Sequence, residues 1–237
     1  MPNPYFRFKQ FTIHHDRSAM KVGTDGVLLG AWASPTSPKE GGLYLDVGTG
    51  TGLIALMLAQ RFPDAFIEGI DIDEASVKQA QENVLESPFR SRIEIRKQDF
   101  SDINSFSKKY DLIVSNPPFY VEETLGGNEA RDAARHTTSL PFETLITNAA
   151  QLLHSEGTFC AIIPYQSAPL FVSLCAQNRL YLHRRLDVQP VPHKSCNRSL
   201  LAFTTTLSEA KTDTLVLYDE DRQRTEAYSH LTQDFYL

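Results

Sequence analysis

Cysteine is scarce in this chain, which excludes two common ways of holding a fold together. The 237 residues include three cysteines, an odd number without a C-x-x-C pair, so neither a disulfide framework nor a zinc site is expected. The seven histidines also lack the spacing of metal ligands, and we expect no metal. His14 and His15 are adjacent and would point in opposite directions on a strand; the sequence alone suggests no role for them.

Long hydrophobic runs are missing as well. The richest apolar stretch, 53–59, is far shorter than the ~18 residues of a membrane helix, so no membrane partner is expected. The first residues show no basic region followed by an apolar one, the pattern of a secretion signal. We therefore expect a soluble, cytoplasmic protein. A hydrophobic fraction of 41% and a charged fraction of 22% are typical of a globular chain and exclude wholesale disorder.

An overall excess of basic residues, the usual mark of nucleic-acid binding, is absent. Lys and Arg number 23 against 29 Asp and Glu, and the formal net charge is −6. The distribution is uneven, however, because residues 64–86 hold seven acidic side chains and one lysine. Residues 1–21 and 179–198 each carry an excess of Lys and Arg. A local basic face is therefore compatible with an acidic total.

Strand and helix signals alternate along the middle of the chain. Strands are predicted over 43–47, 65–70, 92–96, 111–115 and 158–163, and helices over 53–62, 74–85 and about 141–154. Such alternation predicts a parallel sheet with helices on both faces, the α/β class. Three later strand signals lack helix-length spacers and predict antiparallel edge strands. These lie at 180–188, 199–207 and 214–218.

Local signals predict where two of the helices begin and end. Asp73 is a good N-cap for the helix over 74–85. Ser139 is predicted to cap the third helix and Gly157 to end it. Residues 120–138 show no clear periodicity, and a connection of that length is typical of a functional loop.

A glycine-rich turn separates the first of these strands from the first helix. Its sequence, Asp46-Val-Gly-Thr-Gly-Thr-Gly52, lies where an open parallel sheet binds nucleotide-type ligands, at the carboxyl ends of its strands. The nicotinamide fingerprint would need glycine at position 53, which is Leu53, and the lysine of a phosphate-binding loop is absent. Asp46 would repel a pyrophosphate. It suits a ligand with a cationic end, such as the ammonium and sulfonium of S-adenosylmethionine.

Acidic residues at the ends of the next two strands strengthen the prediction of a cofactor site. Asp71 lies 23 residues after Gly48, near the ~20-residue offset of a ribose-binding carboxylate. Asp99-Phe100 follows the third strand, where the aspartate can accept a hydrogen bond from an adenine amino group. Together with Asp46, these strand-end acids predict a nucleoside cofactor.

The tetrapeptide Asn116-Pro-Pro-Phe119 follows the fourth strand and predicts the chemistry. Its two prolines remove two backbone donors and fix φ, which gives a stiff turn. The Asn116 side-chain oxygen and the Pro117 carbonyl can accept both N–H groups of an exocyclic amine, favouring a pyramidal nitrogen aimed at a methyl donor. Phe119 offers a face on which the ring stacks. The predicted catalytic residues are Asn116, Pro117, Pro118 and Phe119.

In this order, the motifs resemble those of class I S-adenosylmethionine-dependent N-methyltransferases. Three further segments resemble the bacterial tRNA adenine-N6 methyltransferases, which modify adenosine 37 of valine tRNA. They are residues 20–33, 134–136 and 234–237, and the match extends essentially over 5–237. The resemblance implies a Rossmann-like fold whose seven-stranded, mostly parallel sheet has an antiparallel edge and helices on both faces. It also implies a single domain over 1–237, with a cofactor-covering segment at 1–34 and a core at 35–237.

The resemblance further assigns residues to the cofactor, S-adenosylmethionine. Those that would contact it are Lys21, Thr24, Asp46, Gly48, Gly50, Asp71, Ile72, Asp99, Phe100 and Asn116. Lys21 and Thr24 would lie over the methionine end, with the glycine turn beneath it. Asp71 would hold the ribose hydroxyls, and Ile72 would pack on the adenine. Asp99 and Phe100 would recognise the edge of the adenine ring.

The resemblance gives the basic segments a partner, the anticodon arm of tRNA. Phosphate contacts supply most of the salt-dependent affinity for RNA. The residues predicted to contact RNA are Arg7, Lys9, Arg17, Arg131, Arg135, His136, Arg184, Arg185 and Lys194. We expect the loop at 120–138 to order around the anticodon arm while the target base flips out and stacks on Phe119. The protein is expected to be a monomer.

Other functions use parts of the same motifs. Release-factor glutamine-N5 methyltransferases have a similar N-P-P-Tyr, but Phe119 replaces the tyrosine and we expect no room for their N-terminal domain before Lys21. Ribosomal RNA guanine-N2 methyltransferases use N-P-P-F, usually followed by histidine, whereas Tyr120 follows here. A non-enzymatic cofactor-binding protein would not need Asn116. A nicotinamide dehydrogenase is disfavoured by Leu53.

Overall fold

The computed structural model describes residues 3–17, 21–118 and 140–237. The strands in these ranges are β1 Tyr5–Arg7, β2 Thr12–His14, β3 Leu43–Val47, β4 Phe66–Asp71, β5 Ile93–Lys97, β6 Tyr110–Ser115, β7 Leu153–Pro164, β8 Tyr181–Gln189, β9 Arg198–Thr204 and β10 Lys211–Val216. The α-helices are α1 Thr24–Trp32, α2 Leu53–Arg61, α3 Glu74–Leu85, α4 Phe142–Leu152, α5 Ala168–Gln177 and α6 Glu226–Thr232.

Eight of these strands form the main sheet, in the order β10-β8-β9-β7-β6-β3-β4-β5. β9 runs antiparallel to its neighbours β7 and β8, and the other neighbouring pairs are parallel. Central β3 pairs with both β4 and β6. The segments that follow these three strands therefore meet at one edge of the sheet, where parallel α/β sheets bind their ligands.

The edge of the sheet corrects two expectations. The described part of the chain contributes eight strands to the sheet, not seven, because β10 is added beside β8. The predicted antiparallel edge is confirmed at β9, which runs antiparallel to β7 and β8. The last strand, β10, was also predicted to be antiparallel but pairs in parallel with β8, with Lys211 opposite Arg184. β10 does run opposite to β9, the strand that precedes it along the chain, but β8 lies between them. β9 and β10, although consecutive along the chain, are therefore not neighbours in the sheet.

Helices cover both faces of the sheet, as predicted. α1, α2 and α3 contribute to one buried apolar cluster, and α4 and α5 contribute to a second one. α1 approaches α2 closely at Gly30, where a Cβ would lie 2.6 Å from the sulfur of Met57; glycine is required for this approach. Near its N-terminus α1 packs on Leu53, the first residue of α2. The start of α1 therefore lies beside the glycine turn.

The two ends of the described chain pack together. β1 and β2 form an antiparallel hairpin outside the main sheet. Within it, the rings of Phe8 and Phe11 stack with their centroids 4.7 Å apart, and Tyr236 lies 6.1 Å from Phe8. The Lys9 N–H donates to the Phe235 carbonyl at 2.9 Å. The hairpin, which the sequence did not predict, is thus part of the same core as the last residues of the chain.

The predicted helix ends are partly confirmed. α3 occupies the predicted residues, and Asp73 caps it by accepting from the Ser76 N–H at 2.8 Å. α4 ends at Leu152 and β7 begins at the next residue. Gly157 therefore lies inside a strand and does not end the helix. Ser139, its predicted cap, lies outside the described residues.

Candidate active site

The glycine turn exposes bare backbone at the carboxyl end of β3. Gly48 and Gly50 have φ values of +72° and +56°, a left-handed conformation that favours glycine. A Cβ added at either position would meet no atom within 4 Å. Gly52, with φ +81°, differs because a Cβ there would lie 3.3 Å from the Cβ of Ala80 on α3. The first two glycines therefore face open space, and the third packs against the helix behind.

Asp46 is fully buried under this turn. Its Oδ2 accepts hydrogen bonds from Thr49 Oγ1 at 2.6 Å and from the Ala55 N–H at 3.2 Å. Its Oδ1 has no hydrogen-bond partner among the described residues. Burial raises the pKa of Asp46 to about 7 because a carboxylate away from water disfavours its charge. A buried carboxylate with one unused oxygen fits a ligand that brings a positive charge, such as S-adenosylmethionine.

Asp71, at the end of β4, ties the glycine turn to the neighbouring strand. Its Oδ2 accepts from the Gly50 N–H and its Oδ1 from the Asp73 N–H, both at 2.9 Å. Burial raises the pKa of Asp71. Ile72, the next residue, leaves 52% of its surface exposed. An exposed isoleucine at a strand end is available to pack against a flat ligand.

Asp99 and Phe100 follow β5 and differ in exposure. Asp99 is exposed, and its Oδ1 accepts from the Ser101 N–H at 2.8 Å. The Phe100 ring is buried and packs edge-on against Phe106, with centroids 5.5 Å apart. The Phe100 carbonyl accepts from the Asn148 side chain at 2.7 Å. The Phe100 side chain is thus part of the core, whereas the Asp99 carboxylate is open to solvent.

A cavity of about 640 Å³ lies between the start of α1, the glycine turn and the segment that follows β6. This volume is within the range of small-ligand sites. The predicted site residues on its wall are Lys21, Thr24, Gly48, Gly50, Asn116, Pro117 and Pro118. Asp46, Asp71, Ile72, Asp99 and Phe100 do not line it. The structure therefore brings the predicted catalytic turn and the glycine turn to one cavity, with most of the strand-end acids beside or beneath it.

Asn116 is the polar side chain of the turn after β6. It directly follows β6 and is half-buried on the cavity wall. The next two residues are Pro117, which is buried, and Pro118, which is exposed. Ser115, just before it, donates to the Val47 carbonyl at 3.0 Å and fastens this turn to β3. Among the described residues, no hydrogen bond occupies the Asn116 amide. Phe119, the last predicted catalytic residue, lies outside the described residues.

An ion pair on the cavity wall was not predicted. Arg198 Nε, at the start of β9, donates to Asp25 Oδ2, near the start of α1, at 2.8 Å. Both residues line the cavity with Lys21 and Asn116. Arg198 belongs to a basic segment seen in the sequence, but 173 positions separate it from Asp25. Without the fold, no signal joins them.

Three of the predicted RNA-contacting arginines have internal partners. Arg17 forms an ion pair with Glu82 on α3, which raises the pKa of Arg17. The Arg184 guanidinium lies 4.4 Å from the Trp32 ring centroid and also donates to Ser34. Arg185 donates to a carboxylate two residues along β8 at 2.8 Å. These contacts give each of the three arginines a role within the folded chain that does not depend on RNA.

The remaining predicted RNA contacts divide by position. Lys194 is exposed in the loop between β8 and β9, a loop that contributes to the cavity wall. Arg7 and Lys9 are also exposed, but the Lys9 ammonium donates to the Gln233 carbonyl and borders a second cavity, at the end of α2 farthest from the glycine turn. The predicted contacts Arg131, Arg135 and His136 lie outside the described residues.

The described ranges contain neither a group of metal ligands nor a membrane-spanning helix. Within residues 3–17, 21–118 and 140–237, no three or more His, Cys, Asp or Glu side chains are grouped so that they could hold a metal ion. In the same ranges, no helix is long and apolar enough to cross a membrane.

Comparison with known protein families and curated proteins gives consistent matches. The family model described as methyltransferase small domain matches residues 33–169. A tRNA1(Val) (adenine(37)-N6)-methyltransferase of Bacteroides thetaiotaomicron is 46% identical over 238 residues, which cover 100% of this chain and 99% of that protein. A protein of the same name from Escherichia coli O157:H7 is 43% identical over 234 residues, or 98% and 94% of the two chains.

Solved structures share the fold at low sequence identity. A protein described as a predicted O-methyltransferase from Agrobacterium tumefaciens has a TM-score of 0.69 and 18% identity, covering 89% of this chain and 96% of that one. A TehB-like SAM-dependent methyltransferase from Corynebacterium glutamicum has a TM-score of 0.52 and 18% identity, with 79% and 90% coverage. These similarities establish the fold alone, and it is the one that the sequence predicted.

Proposed function

This chain belongs to the tRNA1(Val) (adenine(37)-N6)-methyltransferase family, and we propose that it methylates N6 of adenosine 37 in valine tRNA. S-adenosylmethionine is the cofactor, and when bound it supplies a methyl group made electrophilic by the sulfonium. The observation that carries the proposal is the single cavity shared by the glycine turn and Asn116. A binding turn and a set of hydrogen-bond acceptors on one wall suit transfer between two bound molecules.

We assign cofactor binding to the glycine turn and the residues around it. Asp46, beneath the turn, balances the positive charge of the cofactor, and bare backbone at Gly48 and Gly50 allows close approach. Lys21 and Thr24 contribute to the wall of the same cavity, at and just before the start of α1. The same assignment includes the residues at the ends of β4 and β5. Asp71 binds the ribose hydroxyls, Ile72 and Asp99 lie beside the adenine, and Phe100, whose ring is in the core, contributes through its main chain.

We assign the target base to Asn116, Pro117, Pro118 and Phe119. The lone pair of an adenine amino group is delocalised into the ring, so this nitrogen is a poor nucleophile. The Asn116 Oδ1 and the Pro117 carbonyl accept its two N–H groups and favour a pyramidal nitrogen directed at the methyl group. Stacking on Phe119 remains a prediction from the sequence. The proton leaves to solvent after transfer, so no strong base is needed.

We place RNA contact on the side of the cavity formed by the β8–β9 loop. Gln189 Nε2 donates to the carbonyls of Pro192 and Lys194, both at 2.7 Å, and gives this loop a defined shape. Its exposed side chains include His193 and Lys194, which suit phosphate contacts beside the target base. The proposal includes a monomeric enzyme that acts on tRNA in the cytoplasm.

The direct test is methyl transfer from labelled S-adenosylmethionine to total tRNA, followed by nucleoside analysis. We expect N6-methyladenosine, and we expect a valine tRNA transcript to be labelled while a transcript with guanosine in place of adenosine 37 is not. N2-methylguanosine would indicate a guanine methyltransferase, and label only in protein would indicate a protein substrate; either result overturns the proposal. Cofactor binding without transfer to any tRNA would identify a non-enzymatic binding protein.

A further inference from the structure

Lys21 and Thr24 lie where the described chain enters α1. The N-cap residue of this helix, Gly23, makes no side-chain cap hydrogen bond. Lys21 and Thr24 are exposed side chains on the cavity wall. Their placement therefore depends on contacts that anchor the chain on either side of them.

Asn83 on α3 anchors the end of β2. Its Oδ1 accepts from the His14 N–H, and its Nδ2 donates to the His14 carbonyl, both at 2.9 Å. The second hydrogen of the same Nδ2 reaches the Thr51 carbonyl in the glycine turn, also at 2.9 Å. Asn83 is 1% exposed. One buried amide thus uses both of its donors and one acceptor site to join the hairpin to the glycine turn.

The ring of His15 contacts the chain next to Lys21. His15 is 7% exposed, and its ring has Nε2 2.9 Å from the Asn3 carbonyl oxygen and Nδ1 3.5 Å from the Val22 nitrogen. These partners require the tautomer in which Nε2 carries the hydrogen and Nδ1 accepts. Val22 directly follows Lys21. The chain that leaves the hairpin at His15 therefore returns to the same ring one residue after the cavity-lining lysine.

α3 contacts both structures that Asn83 joins, the N-terminal hairpin and the glycine turn. The helix lies behind the glycine turn, where Gly52 and Ala80 are close enough for an added Cβ to be 3.3 Å away. Asn83 lies one helical turn after Ala80 and so faces the same side. Glu82 and Glu86 add exposed contacts to the hairpin through Arg17 and His14. The hairpin and the turn are thus held by adjacent positions of one rigid element.

We propose that Asn83 and His15 are positioning residues that hold Lys21 and the start of α1 beside the glycine turn. The inference rests on the proposed function, because it takes this cavity as the site of S-adenosylmethionine. Through Asn83, the affinity for the cofactor depends on docking of the N-terminal hairpin. The adjacent histidines then have separate roles, His14 through its main chain and His15 through its ring.

The test measures S-adenosylmethionine binding by calorimetry in the full-length Asn83→Ala protein. We expect binding weakened about tenfold, since buried partners lose their hydrogen bonds, with kcat on tRNA at saturating cofactor within about twofold of wild type. Trypsin should cleave after Lys21 several-fold faster in the variant, which mass spectrometry of the fragments records. Asn83→Asp keeps the acceptor for the His14 N–H but places a carboxylate oxygen against the His14 and Thr51 carbonyls, so it should weaken binding at least as much as Asn83→Ala.

The matched control is Asn178→Ala. Asn178 also makes side-chain hydrogen bonds, to Leu174 and Thr147, but it lies at the end of α5. It should lose stability without losing cofactor affinity. If Asn83→Ala does not fold, His15→Phe keeps the ring volume without Nδ1 and should weaken binding about threefold.

Wild-type cofactor affinity and wild-type cleavage after Lys21 in a folded Asn83→Ala or His15→Phe protein would overturn the inference. The proposed function fails differently. In that case wild-type protein binds S-adenosylmethionine and methylates no tRNA, and the effect of Asn83 on binding still decides the inference.

Discussion

Two turns follow the adjacent strands β3 and β6, and they are built by opposite means. The turn after β3 uses glycines with positive φ, leaves backbone N–H groups in place, and is held by the carboxylates of Asp46 and Asp71. The turn after β6 has Pro117 and Pro118, which fix φ and carry no N–H. The first offers space and a buried negative charge. The second has no backbone donor at its two prolines and offers the Asn116 Oδ1 and the Pro117 carbonyl as acceptors for the N–H groups of an amine.

This contrast predicts that binding and turnover separate between the two turns. In Asn116→Ala the cavity loses an acceptor for the target amine while the glycine turn is unchanged. We expect kcat to fall by roughly 100-fold or more, with S-adenosylmethionine affinity within about twofold of wild type. Single-turnover methyl transfer to tRNA and calorimetry measure the two quantities. A fall in kcat below about fivefold would remove Asn116 from the catalytic role.

The buried carboxylate of the glycine turn predicts a pH effect on binding. The pKa of Asp46 is about 7, and a cationic ligand binds the ionised form more tightly. Affinity should therefore rise with pH through 7, by up to about tenfold between pH 6 and pH 8. Calorimetry at the two pH values measures the rise.

The control for this pH effect is Asp46→Asn, which removes the titrating group. The α-amino group of the cofactor also titrates near pH 8, and it does so with either protein. The difference in pH dependence between wild type and variant therefore isolates the contribution of Asp46. If the affinity for S-adenosylmethionine depended equally on pH in wild type and variant, the charge of Asp46 would not contribute to cofactor binding.

Local patterns predicted the parts of this site that lie at strand ends. β3 and α3 occupy their predicted residues because a short apolar run and a cap such as Asp73 are readable within a few positions. The order of strand, turn and helix then placed Asp46 and Asn116 at the same edge of the sheet. α5 was missed although its buried residues Ala168, Phe171 and Cys175 have helical spacing, so that signal was available in the sequence.

The remaining features depend on contacts between distant positions. A count of charges could not separate Arg184, which packs on Trp32 across the fold, from exposed Lys194. The Asp25–Arg198 pair and the link from Asn83 to His14 join elements that only the folded chain brings together. The parallel pairing of β10 was missed for the same reason, because it depends on β8 lying between β10 and β9 in the sheet. Composition and periodicity contain no such information.

The smallest expected effect tests whether the second turn needs its stiffness as well as its acceptors. Pro118 is exposed, so Pro118→Ala removes little packing and leaves the Asn116 and Pro117 acceptors in place. The variant regains an N–H and gains freedom in the unfolded chain, which should lower the free energy of unfolding by about 0.4–1 kcal/mol. Looser acceptors should lower kcat about threefold, with cofactor affinity unchanged. Denaturant unfolding and single-turnover kinetics measure both. A loss of cofactor affinity equal to the loss of kcat would contradict the separation of the two turns, because it would make the proline turn part of the binding site.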